Sequence, residues 1–347
     1  MSDPRADAWD RDAVRSRFGH VLQSVEWGTL RSASGWQPAT LRIGDPLPVA
    51  SVHWRRFPLG QTIAYVPRGP IFDHDEPRQL DLALESLAEV ARRRKPIFLK
   101  VDPEIDAARE DLVALYARHG FFRSRQDVQP VLATLEVDLC RSEDEILKAF
   151  DKDTRWSVRT AEKRGVTVEE RRDDASLREV TALYEETGRR GDFITRSASY
   201  YPRVWRSLID AGHATLFAAV VDARVAAAAV IFWCGERALY MYGASGEAAR
   251  KSYAAYALQW HAMRAAKARG ARRYDFGGVP AEPSESHPQY GLYLFKKGFG
   301  GTFRRFAGAY DVAASPARYR AWLAVEPRLY TVLALLRGRR PSMPVAG

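Results

Sequence analysis

The chain has 347 residues, of which 46% are hydrophobic, and its 53 Lys and Arg against 43 Asp and Glu give a net charge of +10. This length predicts two domains rather than one, and no apolar run approaches the roughly 20 residues that span a bilayer, which argues against a membrane-spanning protein. The positive charge favours a polyanionic partner such as tRNA, a diphosphate-linked sugar or an anionic membrane surface, without choosing among them.

The start of the chain and its cysteines bear on the compartment. The first residues read MSDPRADAWDRD, a polar and acidic stretch that is unlike a secretory signal. The two cysteines, Cys140 and Cys234, supply neither a disulfide framework nor the spacing of a metal site. We therefore expect a cytoplasmic protein in which both thiols are buried or half-buried.

The first half of the chain alternates strand patterns with helix patterns. Residues 1–10 are expected to be loose, with a short helix and then an amphipathic stretch over 23–34 after them. The apolar spacing predicts strands over 39–43, 49–55, 62–65, 96–101 and 131–139, and helices over 80–94 and 107–119. The strand over 96–101 runs into Asp102, and Gly120 follows the next helix.

The second half repeats this order of elements. It predicts strands over 214–221, 224–233, 238–242 and 272–276 and a helix over 253–268. The pair Gly277–Gly278 is expected to turn the backbone before a further helix that ends at Gly298. Asp275 lies 173 residues after Asp102, and Gly298 lies 178 residues after Gly120. These near-equal spacings predict two related α/β units.

A set of short segments carries a resemblance to a known family. Residues 274–301 read YDFGGVPAEPSESHPQYGLYLFKKGFGG and are followed by AGAYDV. Upstream lie RWSVRTAEKRGV, LYEETGRRGDFITRSASYY, LYMYGASG and YALQWHAMRAAKARG. In this order and spacing they resemble the Fem aminoacyltransferases, the FemABX family, which transfer amino acids from aminoacyl-tRNA onto peptidoglycan precursors. The resemblance covers nearly the whole chain.

The resemblance implies a fold of the α/β (α+β) class with two tandem GNAT-like (acetyltransferase-like) domains and a cleft between them. The first domain would comprise residues 1–138 plus 312–347, since the C-terminal helix of the family returns to it, and the second would comprise 139–311. Because no sustained heptad pattern is present, the chain resembles the shorter type without a coiled-coil arm. The segment over 318–340, broken at Pro327, would pack on the first domain or lie at the inner membrane surface.

The function implied by the resemblance is transfer of an amino acid from aminoacyl-tRNA to an amine of a stem peptide, which builds an interpeptide bridge of the cell wall. The acceptor would be UDP-MurNAc-pentapeptide or lipid II, with no metal, no redox cofactor and no stable protein partner. Three alternatives stay open. They are a tRNA-dependent enzyme that acts on a small metabolite, an acyl-CoA N-acyltransferase, and a non-enzymatic RNA-binding protein.

Lys296 and Asp102 are the candidate catalytic residues. Lys296 occupies the lysine of the family's FKxxFGG pattern, which here reads FKKGFGG. An ammonium at that place would stabilise the oxyanion formed when an amine attacks an ester, although a surface lysine that ends a helix is the alternative, as for Lys297. Asp102 matches an acid proposed as a base in the family, and its alternative is a turn aspartate before Pro103.

The resemblance also implies an acceptor site. Arg31, Arg196, Tyr200 and Tyr242 match positions that contact the diphosphate and its surroundings in relatives, and Phe295 lies beside the lysine. An arginine and a phenol four residues apart at a helix start face the same way and can clamp a diphosphate. Arg31 stands where the family usually has lysine, which keeps the charge but changes its geometry. Surface arginines and buried tyrosines are the alternatives.

A basic stripe is the candidate tRNA contact. Lys152, Arg155, Arg159 and Lys163 recur at steps of three and four residues on one predicted helix, where they would follow RNA phosphates or form a solvated face. The segment RKSYAA argues against coenzyme A, because Tyr253 takes the first glycine place of the loop that cradles pyrophosphate in acetyl-CoA-dependent relatives.

Overall fold

The computed structural model describes residues 4–129, 132–191 and 199–336. By its internal contacts the chain divides into two compact units. The first unit comprises Met1–Ala13, Phe18–Leu132 and Arg305–Gly347, and the second comprises Val14–Arg17 and Ala133–Arg304.

The first unit begins with helices and then builds a sheet. Its elements in chain order are α1 (Pro4–Ala13), α2 (Val25–Ser32), β1 (Trp36–Arg42), β2 (Val49–Arg56), β3 (Thr62–Val66), α3 (Pro77–Arg94), β4 (Leu99–Val101), α4 (Glu110–Arg118) and β5 (Phe122–Arg123). Two short 3₁₀ turns, Val21–Gln23 and Pro58–Gly60, lie between them. The expectation of a loose start is wrong from Pro4 onward, because Trp9 is buried and its indole N–H donates to the Gln23 carbonyl at 2.8 Å.

The second unit also alternates strands with helices. Its elements are β6 (Ala133–Asp138), α5 (Glu143–Ala149), α6 (Lys152–Lys163), β7 (Thr167–Arg171), α7 (Asp174–Gly191), α8 (Tyr200–Asp210), β8 (Ala214–Val221), β9 (Arg224–Cys234), β10 (Arg237–Ser245), α9 (Glu247–Ser252), α10 (Ala254–Ala268), β11 (Arg273–Val279), α11 (Tyr290–Lys297) and β12 (Thr302–Arg305). The chain then returns to the first unit with β13 (Tyr310–Val312) and α12 (Pro316–Leu336).

The sheet of the first unit has the strand order β1-β2-β3-β4-β13-β5. β3 and β4 run parallel, while the other described pairs run antiparallel. α3 buries Leu80, Leu84 and Leu87, which recur at helical spacing, against this sheet together with α4. This apolar layer fixes β4, which leads to Asp102, and its parallel neighbour β3, which carries Tyr65.

The returning segment covers another part of the same unit. Tyr319 and Trp322 of α12 pack with Trp36 and Phe98 in a separate apolar cluster. The Tyr319 hydroxyl donates to Asp311 at 2.7 Å, and Lys100 pairs with Asp311 at 3.0 Å. The predicted break at Pro327 is wrong, because α12 runs to Leu336. A proline removes one backbone donor and bends a helix without having to end it.

The sheet of the second unit has the order β12-β6-β11-β10-β9-β8-β7. β10 and β11 run parallel, and β11 pairs antiparallel with β6 on its other side. α10 buries Leu258, Met263 and Ala266 in the main core of this unit, next to β8 and β9. The predicted mixed α/β class is thus confirmed, with one sheet in each unit.

The sequence predicts a turn at the glycine pair after Asp275, and this prediction is wrong. The pair lies inside β11. The pairing of β11 with β6 shifts register between Asp275 and Gly278, which marks a β-bulge. The neighbouring β10 also shifts register, between Tyr240 and Tyr242. Two adjacent irregular strands therefore open the sheet next to α11.

Within residues 4–129, 132–191 and 199–336, no helix combines the length and the hydropathy that crossing a bilayer requires.

Candidate active site

Asp102 lies directly after β4 and is almost fully buried, with 3% of its surface exposed. The Tyr65 hydroxyl donates to one carboxylate oxygen at 2.8 Å, and the Arg68 backbone N–H donates to the other at 2.5 Å. Burial raises the pKa of Asp102 to about 6, against the opposing charge of Arg68 and the Tyr65 hydrogen bond. This carboxyl group can therefore change its protonation state close to neutral pH.

The same tyrosine connects Asp102 to a small pocket of the first unit. The side chains that line the pocket come from the first helices, β2, β3 and the loop after β5, namely Leu22, Trp27, Arg31, His53, Tyr65, Pro67 and Gln129. The guanidinium of Arg31 lies 5.1 Å from the centre of the Trp36 ring. Arg31 thus lines this pocket, and Asp102 lies behind it, hydrogen-bonded to the lining residue Tyr65.

His53 is a pocket residue that sequence reasoning missed. It is 1% exposed, its Nε2 lies 3.1 Å from the Ser51 hydroxyl, and its Nδ1 has no hydrogen-bond partner among the described atoms. Burial, followed by the charge of Arg31, lowers the pKa of His53 to about 3, so the ring is neutral. The available signal was Ser51 and His53 two residues apart on a buried strand, which places both on one face.

Lys296 lies in the last turn of α11 and is buried, with 5% of its surface exposed. Its ammonium donates to the Gly278 carbonyl at 2.7 Å and lies 5.8 Å from the centre of the Tyr240 ring. Burial lowers the pKa of Lys296 to about 8, and the charge of Asp275 opposes that shift. Lys297, one residue later, is exposed and lies 5.8 Å from the Tyr293 ring. The two lysines therefore have different surroundings.

The carbonyl that receives Lys296 is held by the bulge of β11. One carboxylate oxygen of Asp275 accepts from the Gly277 N–H at 2.8 Å and from the Thr134 hydroxyl, and the other accepts from Arg237 at 2.9 Å. Gly277 has φ +64°, and a Cβ there would lie 2.7 Å from the Tyr240 carbonyl oxygen. A buried ion pair thus fixes the backbone on which the lysine rests.

Phe295 faces the aromatic core beside the lysine. Its ring centre lies 5.0 Å from that of Tyr256 and 5.4 Å from that of Phe299. Successive helix residues point about 100° apart, so the side chains of Phe295 and Lys296 leave the same turn in different directions.

The remaining predicted acceptor residues have a different setting. Tyr242 packs among the rings of Tyr184, Tyr201 and Trp205 at 5.6 to 5.9 Å. Tyr200 begins α8, and its ring lies 5.4 Å from that of Tyr201. Both are partly buried in an aromatic cluster of the second unit, and Arg196 lies outside the described residues. The proposed clamp of Arg196 and Tyr200 stays a prediction.

The basic stripe is only partly a surface. Lys152, Arg159 and Lys163 are exposed on α6, whereas the guanidinium of Arg155 donates to the carbonyls of Lys148 and Phe150. Arg155 therefore holds the turn that precedes its own helix. Trp156, which sequence reasoning did not single out, is 54% exposed on the same helix.

The chain is similar to known proteins in sequence and in fold. The model of the FemAB family matches residues 7–119, 122–224 and 211–326. The chain is 26% identical over 389 aligned positions to the lipid II:glycine glycyltransferase of Staphylococcus aureus (strain USA300), covering 90% of this chain and 92% of that protein.

Two solved structures are similar in fold. The crystal structure of FemX matches with a TM-score of 0.82 at 23% identity, covering 94% of this chain and 99% of that one. The structure of L-PGS from Bacillus licheniformis matches with a TM-score of 0.56 at 14% identity, covering 94% and 96%.

Proposed function

The chain belongs to the FemAB family, and from this membership we propose that it is an aminoacyltransferase that forms an amide on a peptidoglycan precursor. The similarity to a lipid II:glycine glycyltransferase supports an acceptor that carries a stem peptide. The product would be an interpeptide bridge or its first residue.

The observation that carries the proposal is the buried ammonium of Lys296. A lysine pKa near 8 leaves most of the side chain charged at neutral pH, in surroundings where a charge acts more strongly than in water. Fixed donors that face a developing negative charge are a major source of catalysis in acyl transfer. Lys296 is such a donor, held in place by the Gly278 carbonyl.

The donor in this proposal is aminoacyl-tRNA, and the reaction takes place in the cytoplasm. The excess of Lys and Arg and the exposed cations Lys152, Arg159 and Lys163 support an RNA partner. The amine of the stem peptide attacks the ester carbonyl, a C–N bond forms, and the ester C–O bond breaks. The proton released by the amine ends on the departing ribose hydroxyl, and Lys296 stabilises the intermediate oxyanion.

The acceptor contacts the first unit at Arg31, which supplies a cation to the diphosphate that both nucleotide-linked and lipid-linked precursors carry. Asp102 either takes up the proton of the attacking amine or orients Tyr65. A lipid-linked acceptor would also bring the protein to the inner membrane surface.

The test uses purified protein, a panel of charged tRNAs, and muramyl pentapeptide linked to UDP or to a lipid. Transfer of a labelled amino acid to either acceptor, lost when the tRNA is deacylated, is the expected result. Turnover of an acyl-CoA without transfer from any charged tRNA would contradict the proposal. An acceptor screen that includes small amines separates cell-wall precursors from metabolites.

A further inference from the structure

Four aromatic side chains form a continuous path across the second unit from α6 to α11. The ring centres of Trp156 and Tyr253 lie 5.1 Å apart, those of Tyr253 and Tyr256 6.3 Å, and those of Tyr256 and Phe295 5.0 Å. Trp156 is exposed, the next three are half-buried, and Phe299 behind them is fully buried. The path, here called the aromatic ladder, thus leads inward and ends one residue before Lys296.

The outer end of the ladder lies within the basic face of α6. At 100° per residue, Trp156 falls within about 60° of Lys152, Arg159 and Lys163 around the helix. Trp156 is 54% exposed there, so its ring is accessible from solvent beside these cations. Such a combination offers a stacking surface together with charges for phosphates.

Tyr253 forms the middle of the ladder in a backbone conformation that favours glycine. Its φ is +61° and its ψ is 22°, where it both ends α9 and begins α10. A bulky residue in this region is strained and is held there by its surroundings. The guanidinium of Arg164 lies 5.1 Å from its ring centre and donates to the Lys251 carbonyl. The ring therefore contacts both Trp156 and a fixed cation.

The two ends of the ladder are joined by short contacts. The Asp151 N–H, at the start of α6, donates to the Gly298 carbonyl at 2.8 Å. A Cβ at Gly298 would lie 2.3 Å from the Thr154 hydroxyl, so only glycine allows this approach. The basic face of α6 and the turn that carries Lys296 are therefore parts of one local assembly.

We propose that the aromatic ladder binds the single-stranded 3′ end of the donor RNA, with its bases stacked on Trp156, Tyr253 and Tyr256. Arg159 and Arg164 contact the phosphates, and Phe295 receives the last nucleotide, so that the aminoacyl ester reaches Lys296. Every base has a π face, and stacking on aromatic and guanidinium planes is how proteins hold unpaired RNA. This inference rests on the proposed use of aminoacyl-tRNA.

A membrane surface is the competing partner for an exposed tryptophan among cations. It would contact Trp156 alone, because the half-buried Tyr253, Tyr256 and Phe295 lead inward, where a bilayer cannot follow. A single-stranded RNA end can enter along the whole ladder. The geometry therefore favours RNA over lipid.

The experiment compares Trp156→Ala and Trp156→Phe with the unchanged chain. Binding of uncharged tRNA and of a short RNA ending in CCA is measured by fluorescence anisotropy, and KM and kcat are measured with charged tRNA. Loss of one stacked base weakens binding roughly 5- to 150-fold. We expect Trp156→Ala to raise Kd and KM by that factor with kcat little changed, and Trp156→Phe to recover most of the loss.

Two further variants complete the design. Phe303→Ala removes an aromatic ring that is 39% exposed in the same unit but outside the ladder, and it should leave RNA binding unchanged. Arg159→Ala should reduce the slope of log Kd against log salt by about 0.7, the contribution of one phosphate contact on a single strand. Trp156→Ala should leave that slope unchanged.

The possible outcomes test the aromatic ladder and the proposed function separately. RNA binding that depends on Trp156, without transfer from any charged tRNA, would support the ladder and contradict the proposed function. Transfer by the unchanged chain with equal Kd and KM in Trp156→Ala would overturn the ladder. Loss of binding to phosphatidylglycerol vesicles in Trp156→Ala, with RNA binding unaffected, would overturn it in favour of a membrane contact.

Discussion

The two units carry a buried aspartate at the same place in their sheets and give it different partners. Asp102 follows β4 and Asp275 lies in β11, and each of these strands has a parallel neighbour on one side and an antiparallel one on the other. The parallel neighbour supplies the partner in both units. It provides the phenol of Tyr65 to Asp102 and the guanidinium of Arg237 to Asp275.

This difference separates a group that can titrate from one that fixes the backbone. A phenol and one backbone amide do not offset the burial of Asp102, whose pKa rises to about 6. Asp275 lies in a buried ion pair at 2.9 Å, and its other oxygen holds the bulge beneath Lys296. The two aspartates therefore differ in what their surroundings allow: Asp102 can titrate near neutral pH, and Asp275 holds the backbone of the bulge.

The largest expected effect comes from breaking the pair in the second unit. Asp275→Asn leaves the charge of Arg237 buried without its carboxylate, which should lower the free energy of unfolding by about 3 to 5 kcal/mol. Urea denaturation measures the loss. The control is Asp138→Asn, which removes an exposed partner of Arg141 and should cost less than about 1 kcal/mol. Equal losses for the two variants would show that the buried pair does not support the unit.

The second effect concerns the pH dependence of stability through Asp102. Its folded pKa of about 6 lies above the ordinary value of 3.8, so the folded state binds the proton more tightly than the unfolded state. This contribution is fully present below pH 4 and is lost as pH rises through 6, by about 3 kcal/mol in total. Asp102→Asn should remove that part of the dependence between pH 4 and 7.

The measurement for this prediction is urea denaturation at several pH values, read as a change in pH dependence rather than as an absolute stability. The unchanged chain, measured in parallel at each pH, is the reference. An identical slope in Asp102→Asn and the unchanged chain would mean that Asp102 is not a titrating group in this range.

A smaller effect sharpens the role of the bulge. Gly277→Ala places a Cβ at φ +64° and 2.7 Å from the Tyr240 carbonyl oxygen, which should cost about 1 to 3 kcal/mol of stability. Gly291→Ala in α11 meets no atom within 4 Å and should stabilise the chain by about 0.5 to 1 kcal/mol. Thermal unfolding of both variants measures the opposite signs. A gain from Gly277→Ala would contradict a strained bulge.

The elements with strong apolar periodicity could be predicted from the sequence. The strands β2, β8 and β9 and the helices α3 and α10 lie close to their expected bounds because their buried residues recur at a regular spacing. β7 was not predicted, because its residues TVEER are mostly exposed at the sheet edge. The sequence predicts a turn at the glycine pair because glycine is typical both of turns and of β-bulges.

The site could be predicted only in part, for a physical reason. Asp102 can be singled out because it follows a predicted apolar strand, and Lys296 because it lies in a predicted helix with apolar residues. The roles of both stay proposals. Gly278 lies 18 residues from Lys296, Tyr65 lies 37 residues from Asp102, and Arg237 lies 38 residues from Asp275 along the chain. Local pattern therefore does not show which groups meet. Whether a buried acid is paired with a phenol or a guanidinium is decided by such distant contacts.

The most direct test of the central claim is the pair Lys296→Ala and Lys297→Ala, assayed for kcat with a saturating charged tRNA and acceptor. The two lysines are neighbours in one helical turn, but only Lys296 is buried against the Gly278 carbonyl. We expect Lys296→Ala to lower kcat by about 10²-fold or more and Lys297→Ala to leave it within a factor of about two. Equal small losses in both variants would contradict the assignment of Lys296 as the group that stabilises the oxyanion.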